Sequence, residues 1–121
     1  MAEFTGSRFV LAVRDLAASK SYYCDVLGFV EESIRAPGWA FLRRGPVLFS
    51  LGECPSEVPA SQLGEHSYFA YILVDNAASL SAEVEKQGAM ILHPLADKAW
   101  GMREFCVQTP DGHRIVFGQA R

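Results

Sequence analysis

Short apolar segments follow one another along the chain in the same order twice. In the first half, Phe9–Val13 is an apolar run bounded by polar residues, which predicts a strand that is at least half buried. Apolar residues then recur at near-helical spacing from position 16 to position 27, with Asp15 placed to cap the helix and Gly28 placed to end it. Turn residues separate the apolar runs that follow, which predict strands at Phe29–Ile34, Trp39–Leu42 and Val47–Leu51.

The second half repeats this order. Tyr68–Val74 is a strongly apolar strand, Asn76 is placed to cap a helix, and Gly88 is placed to end it. The remaining strands are predicted at Ala89–Leu92, Arg103–Gln108 and Arg114–Phe117. Between the halves, proline, serine and glutamate replace large apolar residues, which predicts a surface connector. We therefore expect one domain over residues 1–121, with module one at about 8–52, the connector at 53–66 and module two at about 67–120.

The predicted fold is of the α+β class. Each half has the order strand, helix, strand, strand, strand, so the helix covers one face of its sheet and leaves the other face free. Neither half is long enough to bury its sheet alone, so the halves should pack together or exchange partners between chains. Two such βαβββ modules side by side predict a curved eight-stranded sheet whose free faces form a cup, which is the natural ligand site.

Composition narrows the classes of partner. The chain has 121 residues, of which 50% are hydrophobic, and a net charge of −3. Proteins that bind nucleic acids concentrate Lys and Arg, so the acidic balance argues against such a partner. The longest apolar run, Phe69–Val74, is far shorter than a membrane span, and positions 1–8 contain no signal-like apolar region. The three cysteines are odd in number and far apart, as in a cytosolic protein with reduced thiols, so we expect a cytoplasmic protein with no membrane partner.

Five groups of motifs occur in order along nearly the whole chain. They are Val13-Arg14-Asp15-Leu16, Tyr22-Tyr23 with Leu27-Gly28-Phe29, Val74-Asp75-Asn76, Trp100-Gly101-Met102-Arg103-Glu104-Phe105 and Thr109-Pro110-Asp111-Gly112-His113. In this order and spacing they resemble the vicinal oxygen chelate superfamily of glyoxalases, extradiol dioxygenases, fosfomycin-resistance enzymes and bleomycin-resistance proteins. The last two motifs are most similar to the bleomycin-resistance branch. The resemblance implies the paired βαβββ fold.

The resemblance also implies where a metal would be bound. Metal-using members place His or Glu at four cup-facing positions, which the motif spacing assigns here to Arg8, Phe69, Phe49 and Val116. An arginine cannot ligate a cation, and phenylalanine and valine have no lone pair to offer. We therefore expect no metal and no cofactor, unless a displaced site uses Glu65 and His66.

Aromatic side chains thus stand where metal-using relatives keep their ligands. Strand alternation adds further residues to the same face, among them Val10, Val47 and Leu51. We expect aromatic rings to form the floor and rim of the cup, with one guanidinium and one carboxylate inside it. The candidate ligand-binding residues are Arg8, Trp39, Phe49, Phe69, Tyr71, Trp100, Met102 and Glu104, and none of them is assigned a catalytic role. The same aromatic residues are also typical of core packing or of a dimer interface.

These residues favour a metal-free protein that binds a small hydrophobic or aromatic molecule, such as an antibiotic of the bleomycin type, and changes no bond in it. By resemblance, the protein would be a homodimer whose two cups are built from modules of both chains. One alternative is a lyase, isomerase or dioxygenase of the same superfamily, either metal-dependent through a displaced site or metal-free with Glu104 or His66 as general base. Another is an assembly subunit whose cup is filled by a partner chain.

Overall fold

The computed structural model describes residues 2–64 and 68–121. The displaced metal site expected at Glu65 and His66 lies outside the described residues. The strands and α-helices are β1 (Phe9–Val13), α1 (Leu16–Ser21), β2 (Val30–Glu31), β3 (Trp39–Arg44), β4 (Val47–Glu53), β5 (Tyr68–Leu73), α2 (Ala77–Lys86), β6 (Met90–Asp97), β7 (Met102–Gln108) and β8 (Arg114–Ala120). A π-helical segment, Tyr22–Val26, continues α1, and a short 3-10 helix, Ala60–Gln62, lies in the connector. The α+β class and the two βαβββ-like modules are confirmed.

Both helices begin and end where the sequence predicts. The side chain of Asp15 accepts a hydrogen bond from the backbone N–H of Ala18, and Asn76 accepts one from Ser79, so each satisfies a donor of the first turn. Gly28 and Gly88 follow the helical segments with φ of 76° and 99°, a left-handed conformation that glycine adopts without a steric penalty.

Most strands differ in length from the prediction, and β2, β4 and β6 matter most for the layout. Strand β2 has only two residues, whereas β6 continues well beyond Leu92 to Asp97. The register between β6 and β7 is irregular, which lets this edge strand continue through Pro94. Strand β4 includes Glu53, so the connector begins one residue later than expected.

The hydrogen bonds define two mixed sheets of four strands each. Sheet one has the order β1-β4-β3-β2 and sheet two the order β5-β8-β7-β6, with parallel pairs β1–β4 and β5–β8. The remaining neighbours are antiparallel. The single curved sheet of eight strands stays a prediction, because strand pairing among the described residues stops at four strands in each module.

One hydrophobic core joins the two modules. The ring of Phe69 in module two lies 5.8 Å from that of Phe9 and 6.1 Å from that of Phe49, both in module one. No helix in the described part of the chain is long and apolar enough to span a membrane.

Polar contacts also join the modules. The carboxylate of Asp111 accepts hydrogen bonds from the backbone N–H of Arg14 at 2.9 Å and from the hydroxyl of Ser19 at 2.5 Å. Arg44 of module one and Glu83 of module two form an ion pair at 2.8 Å elsewhere between the modules. These contacts fix the relative placement of the two sheets within one chain.

Candidate functional site

Each sheet has one face in the core and one face that its helix does not cover. In β1, Leu11 and Val13 are buried whereas Val10 is 58% exposed. In β3, Ala40 and Leu42 are buried, so Trp39 and Phe41 lie on the opposite face. We call the free face of sheet one half-cup one and define it by Arg8, Val10, Trp39, Phe41, Ser50 and Gly52. We call the free face of sheet two half-cup two and define it by Tyr71, Trp100, Glu104, Cys106, Val116 and Gly118.

Half-cup one is built around a pair of stacked rings. Trp39 and Phe41 lie 6.3 Å apart with ring planes 19° from parallel. Trp39 pairs across the strands with Gly52, over which its ring lies, and 43% of its surface is exposed. Trp39 also borders an open pocket of about 660 Å³ formed by residues 31–37. The rings therefore present apolar surface to solvent.

The guanidinium of Arg8 lies in half-cup one and is held from several sides. It forms an ion pair with Glu32 at 2.9 Å and donates hydrogen bonds to the carbonyl of Phe49 at 3.0 Å and to Ser50 Oγ at 3.4 Å. It also lies 5.4 Å from the centre of the Phe41 ring, within range of a cation–π interaction. Because Glu32 neutralises its charge, Arg8 presents a fixed planar group to the half-cup rather than a free cation.

The predicted orientation of Phe49 is wrong. Its side chain is fully buried, with ring centres of Tyr23 and Phe29 at 5.2 and 5.1 Å on the helix side of sheet one. Leu51 is fully buried in the same core, and Val47 packs against that core rather than facing the half-cup. The residue that faces half-cup one at this point of β4 is Ser50, which follows Phe49 and pairs with Val10.

The error comes from the hairpin turns. The turn between β3 and β4 leaves two residues between the paired Arg44 and Val47, whereas the turn between β7 and β8 leaves five between Gln108 and Arg114. The prediction counted the same number of residues from the turn glycine in both hairpins. Because the two turns differ in length and side chains alternate between faces with every residue, this count reaches opposite faces of β4 and β8.

Half-cup two contains a hydrogen-bonded pair and an exposed indole. The phenol of Tyr71 donates a hydrogen bond to Glu104 Oε2 at 2.6 Å. Partial burial, together with this bond, raises the pKa of Tyr71 to about 12. Trp100 is 67% exposed and has the ammonium of Lys98 5.9 Å from its ring centre. These four side chains line a cavity of about 500 Å³ together with Cys106, Val116 and neighbouring residues.

The other two candidates of module two, Phe69 and Met102, are placed differently. Phe69 lies at a bulge between Tyr68 and Ala70, where it lines the cavity and also packs 5.3 Å from the ring of His113. It therefore belongs both to the floor of half-cup two and to the core. Met102 is not among the residues that line the cavity.

Several residues of the half-cups are absent from the sequence-based candidates. Phe41 follows Trp39 by two residues and Cys106 follows Glu104 by two, so strand alternation alone places them on the same faces. Burial raises the pKa of Cys106 to about 11, which keeps the thiol protonated and unsuited to act as a nucleophile. The ion-pair partner Glu32 and the cavity residues His93 and Lys98 lie on elements for which the sequence gives no such signal.

The donor set does not fit a metal ion. With Ser50 in place of Phe49, the four positions that metal-using relatives fill with ligands hold Arg8, Phe69, Ser50 and Val116. A hydroxyl and a guanidinium that is already paired supply none of the imidazole or carboxylate ligands that zinc and similar ions require. Among residues 2–64 and 68–121, no group of three or more His, Cys, Asp or Glu side chains is arranged to hold a metal.

The family described as the Glyoxalase/Bleomycin resistance protein/Dioxygenase superfamily matches residues 7–117. The chain belongs to this superfamily. The resemblance drawn from the motifs is confirmed. The chain matches no curated protein.

Several solved structures are similar to this chain over both modules. The bleomycin-binding protein from bleomycin-producing Streptomyces verticillus, complexed with copper(II)-bleomycin, has a TM-score of 0.79 and 25% identity, and the alignment covers 100% of each chain. The bleomycin resistance determinant encoded on the transposon Tn5 has a TM-score of 0.80 and 21% identity over 98% of this chain and 99% of that one. TioX from Micromonospora sp. ML1 has a TM-score of 0.77 and 23% identity over 98% of this chain and 100% of that one.

Proposed function

We propose that the protein binds a small hydrophobic or aromatic molecule and sequesters it without changing its bonds. In this proposal no metal ion is coordinated by the protein's side chains. The observation that carries the proposal is the set of exposed aromatic side chains on the two free sheet faces. Trp39, Tyr71 and Trp100 are 43%, 45% and 67% exposed. Trp39 lies beside Phe41, and Tyr71 lines the same cavity as Trp100. Adjacent exposed apolar groups of this kind mark a binding surface.

The polar groups of the half-cups support binding rather than catalysis. Arg8 is held by Glu32, and Glu104 accepts the phenol hydrogen of Tyr71. Each pair gives the site a fixed polar point beside a ring, which orients a ligand. The thiol of Cys106 is protonated for the reason given above.

The complete site in this proposal is assembled from two copies of the chain. The residues that line the cavity of half-cup two all belong to module two, and the pocket beside Trp39 is lined by module one alone. Each half-cup is thus open on its own sheet face. A homodimer in which half-cup one of one copy covers half-cup two of the other would bury both sets of rings around a ligand.

An antibiotic of the bleomycin type is the first ligand to test. The similar Streptomyces verticillus protein is complexed with copper(II)-bleomycin, and its fold and length correspond to those of this chain. The likeness shows the shared fold, and calorimetry tests the ligand.

Isothermal titration calorimetry with copper(II)-bleomycin, and separately with metal-free bleomycin in the presence of EDTA, tests the proposal. We expect both forms to bind at one molecule per chain and to be recovered unchanged by mass spectrometry. Trp39→Ala and Trp100→Ala should each weaken binding about tenfold or more, because each removes a large ring from the site. Met90→Ala changes an exposed apolar side chain outside the half-cups and is the matched control.

Two results would contradict the proposal. Binding that EDTA abolishes, and that a stoichiometric divalent ion on the protein restores, would show a metal site elsewhere in the chain. Chemical conversion of the ligand, lost in Glu104→Gln, would favour the metal-free enzyme instead.

A further inference from the structure

We propose that Gly52 and Gly118 are positioning residues, each of which leaves the space in which one aromatic side chain lies against its sheet. They thereby set the depth of the two half-cups. The inference rests on the proposed function, since the depth of a half-cup matters only where a ligand is held. It assigns a role in that site to two residues without side chains.

The space above each glycine is already occupied by a ring. A Cβ added to Gly52 would lie 2.9, 3.0 and 3.1 Å from three ring carbons of Trp39. A Cβ added to Gly118 would lie 2.6 Å from Cζ and 2.8 Å from Cε1 of Tyr71, with the phenol oxygen closer still. Carbon atoms attract one another best at about 3.5–4.0 Å, so at both positions the ring would have to move away from the sheet.

The two glycines occupy corresponding positions in the modules. Gly52 lies in β4, two residues after the residue that pairs with Val10, and Gly118 lies in β8, two residues after the residue that pairs with Tyr71. Both β4 and β8 are interior strands with a neighbour on each side. The rings come from different neighbours, since Trp39 is on β3 and Tyr71 is on β5. The space above the two glycines is therefore filled by rings from different neighbouring strands.

The backbone does not require glycine at either position. Neither Gly52 nor Gly118 has a positive φ, in contrast to the glycines of the turns. Glycine inside a strand weakens the strand and often marks a close approach of another group. The group that approaches is a ring in both cases, and both rings face a half-cup rather than the core.

Displacing either ring would change the shape and the polar contacts of the site. Trp39 would lose its near-parallel arrangement with Phe41, and Tyr71 would be moved away from Glu104 Oε2, which it now contacts at 2.6 Å. Both changes bring the ring into the volume that a ligand would occupy.

The first experiment follows the rings directly. In a Trp100→Phe background Trp39 is the only tryptophan, so acrylamide quenching of its fluorescence reports its exposure. We expect Gly52→Ala to raise the quenching constant and Gly6→Ala to leave it unchanged, because an added Cβ at Gly6 meets nothing within 4 Å. An unchanged quenching constant in folded Gly52→Ala would overturn the inference, whether or not the protein binds bleomycin.

The second ring is followed by its ionisation. In a sample with ring-labelled tyrosine, the NMR signal of Tyr71 should titrate near 12 in the original chain and at a lower pH in Gly118→Ala, because the phenol has lost its contact with the Glu104 carboxylate. An unchanged titration in folded Gly118→Ala would show that the ring has not moved.

The third experiment is a double-mutant cycle on binding, with copper(II)-bleomycin as the probe. We expect Gly52→Ala to weaken binding about tenfold in the original chain, because the displaced ring should cost about as much as one strained side chain. In a Trp39→Ala background, Gly52→Ala should have no further effect on binding. An equal loss in both backgrounds would show that Gly52 acts on the sheet and not through the ring. Absence of any probe binding would contradict the proposed function for this ligand, while the fluorescence and ionisation results would still decide the positions of the rings.

Discussion

Phe49 and Trp39 should respond to substitution in opposite ways. Phe49 is fully buried, and its ring centre lies 5.3, 5.2 and 5.1 Å from those of Phe9, Tyr23 and Phe29. Removing a buried phenylalanine ring costs about 3–5 kcal/mol, since the transfer free energy is lost and a cavity remains. Trp39 is 43% exposed and rests on a glycine, so Trp39→Ala should lower the free energy of unfolding by only about 1 kcal/mol.

Urea unfolding followed by circular dichroism measures both effects. Protein concentration must be held constant, because association stabilises the folded state by mass action. We expect a large fall in the midpoint for Phe49→Ala and a small one for Trp39→Ala, with unchanged dependence on urea concentration. Phe49→Leu keeps most of the buried volume and should cost about 1.5 kcal/mol or less.

Ligand binding should also distinguish the Phe49 variants from the Trp39 variant. Folded Phe49→Leu should bind as the original chain does, whereas Trp39→Ala should bind more weakly although it is nearly as stable. The assignment of faces would be refuted if Phe49→Leu lost binding while folded, or if Phe49→Ala cost no more than Trp39→Ala.

Three further substitutions test the contacts between modules and inside the site. Asp111→Asn removes the anionic acceptor of the buried Ser19 hydroxyl, so we expect the free energy of unfolding, measured with urea, to fall by about 1.5–3 kcal/mol. Burial lowers the pKa of His113 below its ordinary value of 6.5, although the charge of Asp111 acts in the opposite direction. As the pH falls, the His113 imidazole is therefore protonated in the unfolded chain before it is protonated in the folded chain. Stability should therefore fall as pH drops through 6.5, and urea midpoints of His113→Phe should be less sensitive to pH in that window; equal sensitivity would contradict the assignment. Glu104→Gln should lower the pKa of Tyr71 from about 12, which an NMR titration of labelled tyrosine would detect, and an unchanged value would show that Glu104 contributes little.

The local structure of the modules could be predicted because the signals are local. The caps Asp15 and Asn76 and the terminal glycines Gly28 and Gly88 act within a few residues of their positions. The strands likewise follow from runs of apolar residues between turns, as Phe9–Val13 shows. Each of these features depends on chain geometry that the neighbouring residues already determine.

The faces of the strands could be predicted only where the register was not in question. Alternation gives Val10 and Tyr71 correctly, because each lies in a strand whose buried residues are easily recognised. It fails at Phe49, since a difference in turn length reverses the face and both Phe49 and Ser50 are compatible with a half-buried strand. The pairing of Arg8 with Glu32 could not be predicted, because it joins the residue before β1 to the residue after β2, which only the folded sheet brings together.

Complementation between two defective chains tests the central claim most directly. If each site is made of half-cup one from one chain and half-cup two from its partner, then Trp39→Ala and Trp100→Ala chains are each defective at both sites. A heterodimer of the two has one site with both substitutions and one site with neither. Mixing equal amounts under conditions that exchange subunits should restore tight binding of bleomycin to about a quarter of the sites, as random pairing of twofold dimers requires. Binding that stays weak in a mixture whose subunits have demonstrably exchanged would contradict the account.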